Sequence, residues 1–375
     1  MTADELERAC RRHEVVFDAH GMPLRCACDS DLALDIVRRS VGAFLVERNR
    51  DNSASATDII VGTTSASVEA ASLLDPGTES ERLLLVDYPS GADRGWSQRR
   101  GNWTIVVSGT AVRYAINHLR RKVIVTSKPN EHLVVALVRL LRRILDPAML
   151  ARGASRAHAA ALRLGGGGVM AFAGSAGAGK TTLLLGLTKV FGAQLLAFDK
   201  LFLWPSKGDV YCAGVPGALG VGIGTASHLS LFADHFAGEQ SLSNPPLSQP
   251  TRPSDKARVS VTALTPDFCM AKGSHPLRSV IFPRFAQGSV LSVFSLPTVE
   301  GVRRLTQQSF GAQLSPYEQD WLRLKPAQMP RLDAPGTLGI YTALHRQIGY
   351  WEVRFGNHAP EQILASLSAA SGCEL

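Results

Sequence analysis

The stretch Gly174-Ser175-Ala176-Gly177-Ala178-Gly179-Lys180-Thr181 constrains this chain more than any other. It fits G-x-x-x-x-G-K-[ST], the phosphate-binding loop called Walker A. Val169-Met170-Ala171-Phe172-Ala173 precedes it, an apolar run that reads as a buried strand, and Thr182 to Leu187 follows in helix-forming company. Strand, glycine loop and helix therefore come in the order that such a loop needs. Glycines let the backbone turn so that successive N–H groups converge on phosphate oxygens. A helix starting near Lys180 adds the positive end of its dipole. Gly174, Ser175, Ala176, Gly177, Ala178, Gly179, Lys180, Thr181 and Thr182 are thus expected to line the phosphates of ATP. Lys180 reaches the β/γ-phosphates, and the Thr181 hydroxyl holds Mg²⁺.

A second group is expected to join them. Ala193-Gln194-Leu195-Leu196-Ala197-Phe198 is an apolar run ending at Asp199, 19 residues after Lys180. A buried strand with a carboxylate at its C-terminal edge resembles a Walker B strand, and open α/β sheets place their sites at that edge. Asp199 there can touch Mg²⁺, directly or through water, or accept a proton from a hydroxyl nucleophile. The plain alternative is a strand-end turn aspartate. Arg284, in Phe282-Pro283-Arg284-Phe285, is expected just beyond a strand end, as a phosphate clamp or a surface arginine.

Composition narrows the classes. The chain of 375 residues is long enough for two domains. No stretch approaches ~20 uninterrupted apolar residues, which argues against a membrane span. The N-terminus is acidic without a signal-peptide core, and the six cysteines are scattered, so a cytoplasmic protein with reduced thiols is expected. Residues 1–150 hold 20 Lys/Arg against 19 Asp/Glu, and residues 151–375 hold 20 against 13. The surplus lies with the phosphate loop, but without dense basic runs or basic–aromatic interleaving. An anionic nucleotide and an anionic partner account for it better than nucleic acid does.

Periodicity divides the chain at about 147–155. Residues 1–150 read as a mixed α/β domain without a nameable catalytic motif. A short helix is expected over residues 1–15, another from Asp31 through Val41, and a third from Asn130 that stops at Pro147. Strands are expected at Met22–Cys28, Asp58–Val61, Arg82–Val86, Trp103–Ser108, Thr110–Ile116 and Lys122–Thr126, with a Gly/Ser/Arg-rich connection between Pro89 and Gly101. Residues 151–375 carry the phosphate loop. Arg156 to Leu164 reads as one strand. Tyr211 to Thr225 is glycine-rich and reads as a shaped loop near a ligand or a flexible connector. Residues 241–256 read as a Pro/Ser-rich linker or lid. Arg258–Leu264, Leu277–Phe282, Val290–Phe294 and Ile348–Phe355 read as strands, and Thr298–Phe310, Ser315–Leu324 and Pro360–Ala370 as helices.

Ala157-His158-Ala159, the loop at 174–181 and Ala197-Phe198-Asp199 together resemble the HPr kinase/phosphatase family, whose fold is related to phosphoenolpyruvate carboxykinase. Members show a strand with a characteristic histidine, then the phosphate loop, then a strand ending in two aspartates. The resemblance covers residues 154–205, and more loosely the 214–224 segment and Phe282 to Phe285. It implies a P-loop kinase domain of that type, with His158 near the phosphates and Asp199 as base or metal ligand. Without the resemblance, His158 reads as an ordinary strand histidine. Phe198 stands where the family has its first aspartate, and no phosphatase-type signature is evident near the C-terminus, so phosphorolysis is not expected.

The implied activity is an ATP-dependent kinase. It transfers the γ-phosphate to a hydroxyl on a protein, peptide or small metabolite, with Lys180, His158 and Asp199 catalytic and Thr181 and Asp199 on the metal. Related kinases often form homo-oligomers. The alternative is a catalytically reduced ATP-binding regulatory or scaffold protein.

Overall fold

The computed structural model describes residues 7–8, 11–48, 57–72, 81–84, 94–100, 102–108, 112–230, 256–264, 268–310, 340, 343–345 and 348–371. The architecture is mixed α/β, and the chain divides into two compact units, residues 1–148 with 313–329 and residues 149–312 with 330–375.

The first unit is built on one sheet. Its elements in order are β1 (His13–Asp18), β2 (Pro23–Cys28), α1 (Asp31–Ser40), β3 (Val46–Arg48), β4 (Thr57–Gly62), α2 (Ser65–Ser72), β5 (Glu81–Leu84), β6 (Arg94–Arg100), β7 (Trp103–Ser108), β8 (Arg113–Asn117), β9 (Lys122–Thr126) and α3 (Glu131–Ala151). The strand order is β3-β1-β2-β4-β9-β8-β7-β6-β5, parallel across β2, β4 and β9 and antiparallel elsewhere. All five residues of β9 are buried, as expected of a central strand covered on both faces. Ser30 caps α1, its hydroxyl accepting the Ala33 N–H at 3.2 Å.

Three expectations fail in this unit. The helix expected over residues 1–15 is present at Glu7 and Arg8 but does not reach His13 to Val15, which belong to β1 and pair with β2 from His13↔Cys28 onward. The connection between Pro89 and Gly101 contains β6, which pairs with β7 from Gly95↔Ser108 to Arg100↔Trp103. Ladder hydrogen bonds there override a composition poor in strand formers. α3 runs through Pro147 to Ala151. Leu140, Leu141, Ile144, Leu145, Ala148 and Met149 are all buried along it, and that packing outweighs the lost hydrogen bond of the proline.

The second unit carries the phosphate loop. It contains β10 (Ser155–Ala157), β11 (Ala159–Arg163), β12 (Val169–Ala173), α4 (Lys180–Phe191), β13 (Gln194–Ala197), β14 (Leu201–Ser206), β15 (Asp209–Gly214), β16 (Leu219–Gly222), α5 (Ile223–Leu229), β17 (Lys256–Val259), α6 (Val261–Leu264), β18 (His275–Phe285), β19 (Ser292–Ser295), α7 (Thr298–Gln307), β20 (Ser309–Phe310), β21 (Gly349–Phe355) and α8 (Pro360–Ser371). The main sheet runs β13-β11-β12-β18-β15-β14-β10-β20, with β21 also on β18 and β19 on β21. β12 is parallel to β18, and β18 is parallel to β21, so all three end at one edge. β12 is buried at every residue, and its neighbours supply Ala159, Ala161, Val280 and Phe282 to the same core.

The sequence pattern also misplaced elements here. The expected strand at 156–164 breaks at His158 into β10 and β11. Residues 211–225 keep an irregular connection only at 215–218; the rest is the end of β15, the strand β16 and the start of α5. β16 finds its partner in β17, so the glycines there pack as strand. Residues 258–264 are the end of β17 followed by the short helix α6. The helix expected over 298–310 gives way to β20, which pairs with β10. Lys256 lies in β17. Residues 241–255 and the expected helix at 315–324 lie outside the described residues.

Gly214 shows how tightly the chain closes around this edge. A Cβ there would lie 1.8 Å from the Leu196 carbonyl oxygen. The next residue is tied as well, Val215 N–H donating to Lys200 O at 3.0 Å. Gly214→Ala is therefore expected to destabilise the protein by about 3 kcal/mol or more, since backbone must move. A denaturant midpoint close to wild type contradicts that.

Candidate phosphate-binding site

The loop from Gly174 to Gly179 joins the end of β12 to the start of α4. Gly179, the residue before α4, has φ of 96°, a left-handed backbone that favours glycine. A Cβ at Gly179 would also meet the Phe355 ring at 2.5 Å. Phe355 and Phe285 stack edge to face with centroids 5.5 Å apart and form a floor beneath the loop. The Phe285 N–H donates to Ala178 O at 3.1 Å, so the end of β18 holds the loop in place. Ser175, Ala176 and Gly177 are exposed at the crest. No side chain caps α4, which leaves its first-turn amides to other acceptors. This is the cradle an anionic phosphate needs.

Lys180 is the first residue of α4 and is buried, yet its ammonium turns back into the loop. It donates to Gly174 O at 2.7 Å and to Ser175 O at 3.0 Å. Burial lowers its pKa from 10.5 to about 8; the Asp199 charge opposes that shift and the Lys256 charge adds to it. An ammonium so placed gains from any incoming anion.

The glycine-rich segment supplies the opposite wall. The Thr181 hydroxyl donates to Gly220 O at 3.4 Å, and the Thr182 and Thr225 hydroxyls are 2.8 Å apart. Lys256 pairs with Gly222 across β16 and β17, and its Cδ would lie 3.6 Å from a Cβ placed on Gly220. Lys256 is thus a second ammonium near the loop. No motif marks it; it follows a Pro/Ser-rich stretch, and only strand pairing brings it here.

His158 and Asp199 meet: His158 Nε2 is 3.0 Å from Asp199 Oδ1. Register explains why. β11 pairs with β12 at Ala159↔Ala173 and with β13 at Ala161↔Ala197, both antiparallel. Residues just before β11 therefore share an edge with those just after β12 and β13. β10 and β14 continue at Ala157↔Leu201, so both chains bend at this one place. Asp199 is 42% exposed on its side chain and His158 24%, which leaves the pair open to a reactant. Phe198 is 5% exposed, an apolar core residue where the resembled family carries a carboxylate.

Arg284 is not beyond a strand end but within β18, 63% exposed on its side chain and 3.8 Å from Glu352. Glu352, Arg304 and Arg354 around it escaped the sequence pattern altogether. Among the described residues, no group of three or more His, Cys, Asp or Glu is placed to hold a metal ion. Magnesium does not require one, since it binds through one or two protein oxygens together with phosphates and water. Thr181 and Asp199 are suitable oxygens.

No protein-family model matches the chain, and no curated protein matches it. No helix among the described residues is long and apolar enough to cross a membrane.

Proposed function

We propose that the protein is an ATP-dependent kinase acting on a hydroxyl acceptor, on a domain of HPr kinase type. The observation that carries this most is the His158–Asp199 pair at 3.0 Å, on the edge where the phosphate loop opens. Loop amides and Lys180 hold the β/γ-phosphates, and Lys256 adds charge beside them. Thr181 and Asp199 would hold Mg²⁺, which would supply charge neutralisation on the phosphates. The Asp199 carboxylate accepts the proton of the attacking hydroxyl, and His158 fixes its orientation by bonding one oxygen. Phosphoryl transfer asks little more of a protein than such positioning and charge.

The test is transfer of labelled γ-phosphate from Mg·ATP to hydroxyl-bearing peptides and small metabolites. Protein that binds ATP yet phosphorylates none of them favours a regulatory or scaffold role. The buried Phe198, which leaves a single carboxylate at this strand end, supports that second reading.

Lys180 adds a pH test. Its pKa near 8 comes chiefly from burial, and bound phosphates raise it again. Mg·ATP affinity is expected to be flat below pH 8 and to fall above it, by up to about tenfold per pH unit. Binding near pH 8 to 9 should take up protons, measured as a buffer-dependent heat in titration calorimetry. An affinity unchanged across that range contradicts the placement of Lys180 on the phosphates.

A further inference from the structure

β18 and β21 end alike, in Pro283-Arg284-Phe285 and Val353-Arg354-Phe355, and they pair in parallel with Arg284↔Arg354 and Phe285↔Phe355. Alternation along a strand sends the two phenylalanines to one face and the two arginines to the other. The phenylalanines floor the phosphate loop. The arginines sit one residue back, across the sheet from that floor and at the same C-terminal edge.

Buried charge holds the arginines there. Glu352, 3% exposed, points the same way as Arg354 on β21. Its carboxylate accepts from Arg354 Nε at 2.6 Å and from Arg304 Nη1 at 2.6 Å, and Arg284 Nη1 lies 3.8 Å away. Arg304 is spent, because its Nε also bonds Glu300, which Arg303 grips as well. Four arginines thus face two glutamates, a surplus of two positive charges. The surplus falls on Arg284 and Arg354, whose side chains are 63% and 50% exposed. Arg354 is further fixed with its guanidinium 5.0 Å above the Phe294 ring. Among the described residues, the Arg354 Nη groups make no hydrogen bond and Arg284 has only its 3.8 Å pairing with Glu352, so both keep donors for something else. A carboxylate sunk in a sheet to aim guanidinium groups outward is an arrangement that receives an oxyanion.

We propose that Arg284 and Arg354, braced by Glu352, bind a carboxylate or phosphate carried by the acceptor. The site therefore phosphorylates the hydroxyl of an acidic molecule and discriminates against neutral alcohols. This assignment rests on the kinase reading above for the hydroxyl, but the anion subsite is testable without it.

The full-length Lys180→Ala variant, with the phosphate loop disabled, is titrated calorimetrically with inorganic phosphate and separately with malonate. Saturable binding is expected, and it should weaken at least about tenfold when Arg284→Gln and Arg354→Gln are added, with the lysine pair R284K/R354K intermediate. Preference for phosphate or for malonate tells which oxyanion the acceptor carries. Absence of saturable binding, or equal affinity in the arginine variants with an unchanged melting profile, overturns the proposal. On a chain with Lys180 intact, R284Q/R354Q should leave Mg·ATP affinity within about threefold of wild type. A larger loss assigns the arginines to the nucleotide and overturns the acceptor subsite. Failure of wild type to bind Mg·ATP ends the kinase reading and leaves the anion result standing.

Discussion

Lys180→Ala is expected to abolish Mg·ATP binding at ordinary concentrations and to lower phosphoryl transfer by about 10²–10³-fold or more, the cost of removing one preorganised charge from phosphates. The stability of this variant should move the other way. Burial depresses the lysine pKa from 10.5 to about 8, so the fold opposes the charged form. Below pH 8 both folded and unfolded chains carry the proton, and the folded one bears a penalty of about 3 kcal/mol. That penalty fades as pH rises from 8 to 10.5, where the unfolded chain keeps a proton that the folded chain has lost. Alanine removes the penalty along with two hydrogen bonds to loop carbonyls. The variant should therefore melt no lower than wild type at neutral pH while binding no nucleotide. ATP binding that survives the substitution removes the basis of the proposed function.

Asp199→Asn should separate chemistry from binding. Asparagine keeps the shape and a hydrogen bond to His158 but cannot take a proton. The expected result is a rate lower by about 10²–10⁴-fold, the usual worth of a positioned general base. Mg·ATP affinity should fall less than the rate, because the loop, Lys180 and Thr181 remain and asparagine keeps one oxygen for the metal. Equal losses in affinity and rate mark Asp199 as a metal ligand alone, and an unchanged rate strikes it from the mechanism. The partly exposed position of Asp199 makes misfolding of the variant a minor concern, and a melting curve checks it.

Local patterns were legible where one physical requirement dominates. The strand β12, the glycine loop and the helix α4 follow directly from an apolar run, left-handed glycines and good helix formers. The strand ending next to Asp199 was visible for the same reason. Misreadings arose where a distant partner outweighs local preference. β6 is a strand only through β7, the glycines of β16 only through β17, and α3 passes Pro147 only because its apolar stripe is buried.

From the order of residues alone came the phosphate loop, its lysine and threonine, and a carboxylate at a strand end, because each depends on neighbours within a few positions. Three-dimensional closure decided the rest. Antiparallel register brought His158 to Asp199 across 41 residues, strand pairing carried Lys256 to the loop, and parallel ends of β18 and β21 set Arg284 beside Arg354. Hydrogen-bond ladders fix such meetings. Each joins residues at least 34 positions apart, farther than local preference reaches.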